Sequence, residues 1–334
     1  MKIFVPIFRD LIPPKHPEMF VNRMVEVSED DLKNLVIPHW KKIDTTKDIY
    51  GVSRLYNMSI EEVCGHSVEY GTLDQYIRRP AFTVHAAALP GNESCAEQFD
   101  NLAYKTGFLA AKYGWNFCNG GGIAEKGGMG MSAKGFADGL KKNGRAEDQY
   151  SMQIVPSDLI VVDSKNGFRP PNEGLRLKSD VALVFPDFMM RLYILDSLCE
   201  AAASLCGSLG TLNEITDIAV SFKIGAKDKN FRFYILNPHV PLLKGKFFDP
   251  LKKQIENPIK CGIQDPKVRK HFRFMKTPEG IFKNLMTNLE KNESTPEQKY
   301  QARKEKYRFT PGVARPVPDV FKPPCSSQNN SPLI

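Results

Sequence analysis

Cys206-Gly207-Ser208-Leu209-Gly210-Thr211-Leu212-Asn213-Glu214 is a glycine-punctuated turn between the small-residue run Ala201 to Leu205 and the helix-like stretch Leu212 to Ile224. Strand, phosphate-sized loop and helix N-terminus follow one another, with the helix expected to begin at Thr211. At such a junction unpaired backbone N–H groups and the positive end of the helix dipole converge, which makes an anion site that needs no lysine. Gly207, Ser208, Leu209, Gly210 and Thr211 are therefore candidate phosphate ligands. Glu214, one helical turn in, stands near whatever the loop holds. The bland alternative is a tight connection whose glycines only allow close packing, with Glu214 an acid that suits a helix N-terminus.

Arg191 lies twenty residues before Thr211, in Phe185-Pro186-Asp187-Phe188-Met189-Met190-Arg191-Leu192, at the start of an apolar stretch. A cation at a helix start is electrostatically misplaced, which points to a ligand, the bland alternative being a surface arginine. A second glycine-rich turn, Asn119-Gly120-Gly121-Gly122 through Gly127-Gly128-Met129-Gly130, follows the apolar run at 115–118 and precedes Ser132. Its glycines would let backbone approach a nucleotide closely, and they suit a flexible loop equally. It has no Gly-Lys-Ser/Thr end of an NTPase phosphate loop. The spacing is too stretched for a dinucleotide fingerprint, which ranks a nicotinamide-dependent reductase low.

From Ala81 apolar strands alternate with amphipathic helices: strand Phe82 to Leu89, helix Cys95 to Tyr113, strand Trp115 to Asn119, helix Ser132 to Lys142, strand Met152 to Val155. A loop around Arg169-Pro170-Pro171, strand Val181 to Phe185, the helix from Arg191, strand Ala201 to Leu205, the helix from Thr211 and strand Arg232 to Leu236 complete the series. This order predicts an α/β chain with a Rossmann-like, doubly wound, mainly parallel sheet and helices on both faces. Its ligand should bind beyond the carboxyl ends of the strands, where both glycine turns lie. Three regions are expected: an N-terminal extension over 1–79, with helix-like pieces at Asp30 to Val36 and Ser59 to Cys64; a nucleotide-binding core over 80–290; and a tail over 291–334.

The arginine motif and the turn resemble the LONELY GUY phosphoribohydrolases, often labelled lysine decarboxylases. In that family an arginine is followed at the same spacing by Pro-Gly-Gly-x-Gly-Thr-x-x-Glu. Here Cys206 stands for the proline, Ser208 for the second glycine, and Leu192 for a lysine after the arginine. The first turn resembles the family's, with an apparent insertion at Ala124 to Lys126. Phe247-Phe248-Asp249-Pro250-Leu251 and Thr277-Pro278-Glu279-Gly280 resemble its closing helices. The Pro186-Asp187 and Arg191-Leu192 pairs are closer to related bacterial nucleosidases acting on purine and pyrimidine nucleoside monophosphates.

The resemblance implies hydrolysis of the N-glycosidic bond of a nucleoside 5′-monophosphate, releasing base and ribose 5-phosphate. Arg191 and Glu214 would be catalytic; Asn92, Gly120, Gly121, Gly122, Met129, Gly130 and Gly207 to Thr211 would bind substrate. Met129 suits gap-filling equally well. The family implies a homodimer or larger assembly and no cofactor. The rival from another class is a nucleotide-binding or sensing protein that keeps the loop without turnover.

Composition sets the remaining bounds. No apolar run approaches the roughly 20 residues that span a bilayer, so no membrane is expected. The opening Met1 to Pro6 is broken before a signal core develops, which predicts a cytoplasmic protein. Seven cysteines without paired spacing fit a reducing compartment. The absence of Cys-x-x-Cys and His-x-x-x-His spacing predicts no metal. Pyridoxal phosphate chemistry is rejected, because neither Lys126 nor Lys134 has the surroundings of a Schiff-base lysine. The net charge is +8, and 291–334 contribute eight Lys or Arg against four Asp or Glu, so half the excess lies in a proline-rich tail. Nucleic acid is not expected, since aromatic and basic residues form no recognised module.

Overall fold

The computed structural model describes residues 1–8, 21–43, 60–71, 76, 78–88, 91–122, 126–146, 148–160, 179–186, 188, 191, 194–195, 198–223, 231–290, 297–298 and 300–301. The expected loop at Arg169 to Pro171, the residues Asp187, Leu192, Ala124 and Glu125, and the tail beyond 301 lie outside this set. The strands are β1 (Lys2–Phe8), β2 (Val21–Val27), β3 (Glu69–Gly71), β4 (Ala81–His85), β5 (Asn116–Asn119), β6 (Ser151–Pro156), β7 (Val181–Phe185), β8 (Ala201–Ser204), β9 (Arg232–Leu236), β10 (His239–Val240), β11 (Gly245–Lys246) and β12 (Arg273–Met275). The α-helices are α1 (Glu29–Asp31), α2 (Ile37–Ile43), α3 (Ile60–Cys64), α4 (Glu93–Lys112), α5 (Gly127–Asn143), α6 (Leu209–Lys223), α7 (Asp249–Lys260) and α8 (Pro278–Glu290).

The main sheet runs β12-β9-β8-β4-β5-β6-β7-β1-β2-β3. From β12 to β1 every neighbouring pair is parallel, and β2 and β3 add antiparallel to one edge. The four strands β4, β5, β7 and β8 are buried along their whole length, as strands covered on both faces must be. The fold expected from the sequence, a doubly wound parallel sheet, is therefore present.

Alternation along the strands separates the two faces. Phe82, Val84, Phe117, Ala201, Ala203 and Tyr234 face one way and pack against α4, α5 and α8 through Ala103, Ala110, Phe136 and Phe282. Ile154, Leu183, Phe185, Cys118 and Ala202 face the other way, onto Ile194, Leu195 and Leu198 and onto Ile215 and Ile218 of α6. Val155 alternates with Ile154, so the third cluster lies on the first face: Val5, Val25, Val155 and Val184 are covered there by Leu32, Val36, Ile37 and Trp40. A π-helical turn, Leu32–Val36, joins α1 to α2 in this cover.

The N-terminal segment thus enters the main sheet itself. β1 pairs parallel with β7, with Lys2 opposite Val181 and Phe4 opposite Leu183. Nothing in the local pattern announces this pairing, because the partner strand lies almost two hundred residues away.

Order along the chain also fixes where the sheet reverses. From β4 the chain steps outward through β5, β6 and β7, then returns to β8 on the other side of β4 and continues to β9. The reversal lies between β4 and β8, and a doubly wound sheet opens its crevice there.

A candidate active site at the strand ends

β4 and β8 stay paired to their last residues, with His85 opposite Ser204 and the Leu205 N–H donating to the His85 carbonyl at 2.8 Å. Beyond them the chain turns through Cys206, which is buried, into Gly207, Ser208, Leu209 and Gly210, the last three exposed. α6 begins at Leu209, two residues earlier than expected, and the Leu212 N–H donates to the Ser208 carbonyl at 3.1 Å. The amides of Leu209, Gly210 and Thr211 precede that bond, as first-turn amides do. A Cβ at Gly210 would meet nothing within 4 Å, so the turn is open on that side. A Cβ at Gly207 would lie 2.0 Å from Thr211 Oγ1, so the buried Thr211 side chain folds back onto that glycine. Burial pushes the Cys206 thiol up to about 12, with a smaller contribution from Cys95. Cys206 is therefore a neutral packing group at physiological pH and no nucleophile.

Arg191 and Glu214 meet. Arg191 Nη1 donates to Glu214 Oε1 at 3.1 Å, and the two residues are 3% and 5% exposed. The Arg191 Nε donates to the Ile154 carbonyl of β6 at 3.3 Å, and its guanidinium lies over the Phe188 ring, 5.0 Å from the centroid. It also lies against Gly120, where a Cβ would be 1.4 Å from Nη2. The turn after β5, a carbonyl of β6, the segment after β7 and the helix after β8 all hold this one guanidinium. A buried, hydrogen-bonded pair of this kind is costly to break, on the order of 3–5 kcal/mol when one partner is removed.

The first glycine turn is braced by Asn119 at its start. Asn119 Oδ1 accepts the Gly121 N–H at 3.0 Å, and Asn119 Nδ2 donates to the Met129 carbonyl at 3.3 Å. Helix α5 starts at Gly127, five residues before the expected Ser132, so Met129 and Gly130 sit in its first turn. Gly121 and Gly127 take positive φ of 79° and 66°, backbone that side-chain-bearing residues rarely adopt. The Met129 N–H donates to the Ala87 carbonyl at 3.2 Å and Ser132 Oγ to the Met129 carbonyl at 2.9 Å. Gly120, Gly121, Gly122 and Gly130 are buried and Met129 half-buried. Asn92 is exposed at the N-cap of α4 and accepts from Ser94 Oγ at 2.8 Å.

Two further residues belong to this region. His85 and Ser204 are buried at the carboxyl ends of β4 and β8, where the sheet reverses, and their side chains approach at 3.4 Å between Nδ1 and Oγ. No signal in the sequence marks them, since the strands read there run on to Leu89 and Leu205, whereas the observed β4 and β8 end at His85 and Ser204.

A family model described as "Possible lysine decarboxylase" matches residues 133–285, the span that contains Arg191 and the whole second turn. The resemblance read from the sequence holds over that span. A search of curated proteins gives no match. Solved structures of similar shape include the molybdenum cofactor binding protein from Rippkaea orientalis, 15% identical over 63% of this chain and 98% of that one with a TM-score of 0.42. The molybdenum cofactor carrier protein from Chlamydomonas reinhardtii is 16% identical over 64% and 99%, with a TM-score of 0.38. DNA processing protein A from Streptococcus pneumoniae is 13% identical over 64% of each chain, with a TM-score of 0.36. No helix among the described residues is long and apolar enough to cross a membrane.

Proposed function

We propose that this chain is a nucleoside 5′-monophosphate phosphoribohydrolase. The observation that carries the reading is the buried Arg191–Glu214 pair, 3.1 Å apart, placed by four strand ends beside the open loop that begins α6. Gly207 to Thr211 would take the 5′-phosphate at the helix N-terminus, which brings the sugar toward the first turn of α6 and Glu214. Breaking the C1′–N bond develops positive charge on the ribosyl carbon, which a carboxylate stabilises as in glycoside hydrolysis. Water then adds its hydroxyl to C1′, and its proton leaves with the base nitrogen.

Arginine does not act as a base at neutral pH, so Arg191 orients Glu214 and the departing base. The phosphate acts as a handle whose binding energy orients the sugar, and a free nucleoside should react poorly. The family description names a decarboxylase, whereas the charged groups these strand ends bring together are a guanidinium and a carboxylate.

The rival reading, nucleotide binding without turnover, draws on the low exposure of both charged residues and on Cys206 and Ser208 in the turn. Glu214→Gln separates the two. Under the hydrolase reading it abolishes release of ribose 5-phosphate while nucleotide binding stays measurable. Wild-type protein that binds monophosphates and releases nothing on long incubation would support the rival.

We also propose a homodimer. Leu209, Leu212 and Val220 are 82%, 37% and 54% exposed and fall on one stripe of α6 beginning at the loop itself. A second copy covering this stripe would help enclose the phosphate. Light scattering at twice the chain mass, reduced to one chain mass by Val220→Glu, is the expected result. Six cysteines among the described residues are unbridged, which fits a reducing, cytoplasmic setting.

A further inference from the structure

We infer that Asp31, Cys64 and His66 form a binding site for a zinc-class divalent ion, remote in sequence from the Arg191–Glu214 cradle. One ligand atom from each residue lies within 4.8 Å of the other two. His66 Nε2 is 3.3 Å from Asp31 Oδ2. Tetrahedral zinc with ordinary bond lengths separates neighbouring nitrogen, oxygen and sulfur ligands by about 3.3–3.6 Å, so a movement on the order of 1 Å closes the set.

The surroundings prepare each ligand. His66 Nδ1 lies 3.0 Å from the Ser67 carbonyl, and a proton on Nδ1 makes it the donor of that bond. That tautomer turns the lone pair of Nε2 toward Asp31 and Cys64, the arrangement found behind metal-bound histidines. Ser28 Oγ donates to Asp31 Oδ2 at 2.7 Å and fixes the carboxylate, while the Asp31 N–H donates to Ser28 Oγ at 3.0 Å. Gly65, with φ of 72°, closes α3 so that Cys64 and His66 emerge on either side of one tight turn. Its amide donates to the Glu61 carbonyl at 2.7 Å.

Chemistry selects the ion. Thiolate, imidazole and carboxylate together suit a borderline ion such as Zn2+, whereas Mg2+ and Ca2+ take oxygen donors throughout. The elements that carry the ligands also hold Glu29, Asp30, Glu61 and Glu62, against Lys33, which pairs with Glu29. This local excess of carboxylates attracts a cation within an otherwise basic chain. His66 is 54% exposed, so the ion has access from solvent and a water can complete the shell. On binding, the Cys64 thiol gives its proton to solvent as the sulfur–metal bond forms. The ion would tie α1 to the end of α3, two parts of the cover over β1 and β2. Spacing could not disclose the site, because Asp31 lies thirty-three residues before Cys64.

The test uses the full chain stripped with a chelator and titrated with Co2+ as an optical probe, then with Zn2+ in competition. The expected result is one ion per chain with a thiolate-to-cobalt charge-transfer band, displaced by Zn2+. Cys64→Ser removes the band, His66→Gln and Asp31→Asn each weaken binding by at least about tenfold, and Ser28→Ala weakens it by about 10-fold. Cys261→Ser, at an exposed cysteine elsewhere, leaves binding intact. His66 is exposed enough that His66→Gln keeps the fold, which circular dichroism checks. Failure of the wild type to bind, binding without the charge-transfer band, or a band that survives Cys64→Ser each overturns the site.

Discussion

Gly120 is defined by what lies against it. A methyl group there would overlap Arg191 Nη2 at 1.4 Å, so Gly120→Ala must push the guanidinium out of its bond to Glu214. The expected outcome is loss of ribose 5-phosphate release with secondary structure retained, and an unchanged rate would separate Gly120 from the chemistry. Arg191→Ala should lower stability by about 3–5 kcal/mol in denaturant titration, because Glu214 is left buried without its partner. Cys206 gives a pH-dependent signature. Its thiol ordinarily titrates near 9.0, and burial raises it to about 12 in the fold. In that window the unfolded chain binds fewer protons, so the Cys206 contribution to stability is intact below pH 9 and falls as pH rises toward 12. Iodoacetamide at pH 8 should accordingly label Cys261 and spare Cys206 until the protein unfolds. Arg191 and Glu214 were singled out in the sequence by residue type and spacing, and the fold brings the two side chains together. His85 and Ser204 became significant only when non-local packing showed what they touch, and Gly120, read from the sequence as a substrate ligand, lies against Arg191 instead of an open cleft.

At the scale of elements, α4 and α5 cross so closely that glycines replace side chains at the contact. A Cβ at Gly107 would lie 1.8 Å from the Ser132 carbonyl oxygen, and one at Gly135 would lie 1.9 Å from the Tyr104 carbonyl oxygen. Alanine favours a helix over glycine by up to about 1 kcal/mol, but overpacking against backbone costs about 1–3 kcal/mol or more. Gly107→Ala should therefore lower Tm, whereas Gly210→Ala, which meets open space in the first turn of α6, should leave Tm unchanged or slightly raised. Equal effects of the two substitutions would contradict the crossing as described. Glycine content is also why the start of α5 was misread from sequence. Gly127, Gly128 and Gly130 have poor helix propensity, and tertiary packing against Ala86 and Ala87 overrides it. The apolar strands from β4 to β9 were legible because each is a short buried run bounded by turns.

For the molecule as a whole, the sheet reversal lies between β4 and β8, beside the candidate site, while β1 to β3 extend the far edge beyond β7. Deleting residues 1–27 would expose the β7 edge and remove Ile3, Val5, Val25 and Val27 from the cluster that holds Val155 and Val184, so the shortened chain should aggregate. A soluble, fully active truncation would show the edge strands to be dispensable. The central claim is that the Arg191–Glu214 pair hydrolyses a nucleoside monophosphate held by the loop at Gly207 to Thr211. Its most direct test is ribose 5-phosphate release from a panel of nucleoside 5′-monophosphates, with wild type and Glu214→Gln side by side. The account predicts release by the wild type and none by the variant, with nucleotide still bound; equal release by both proteins would contradict it.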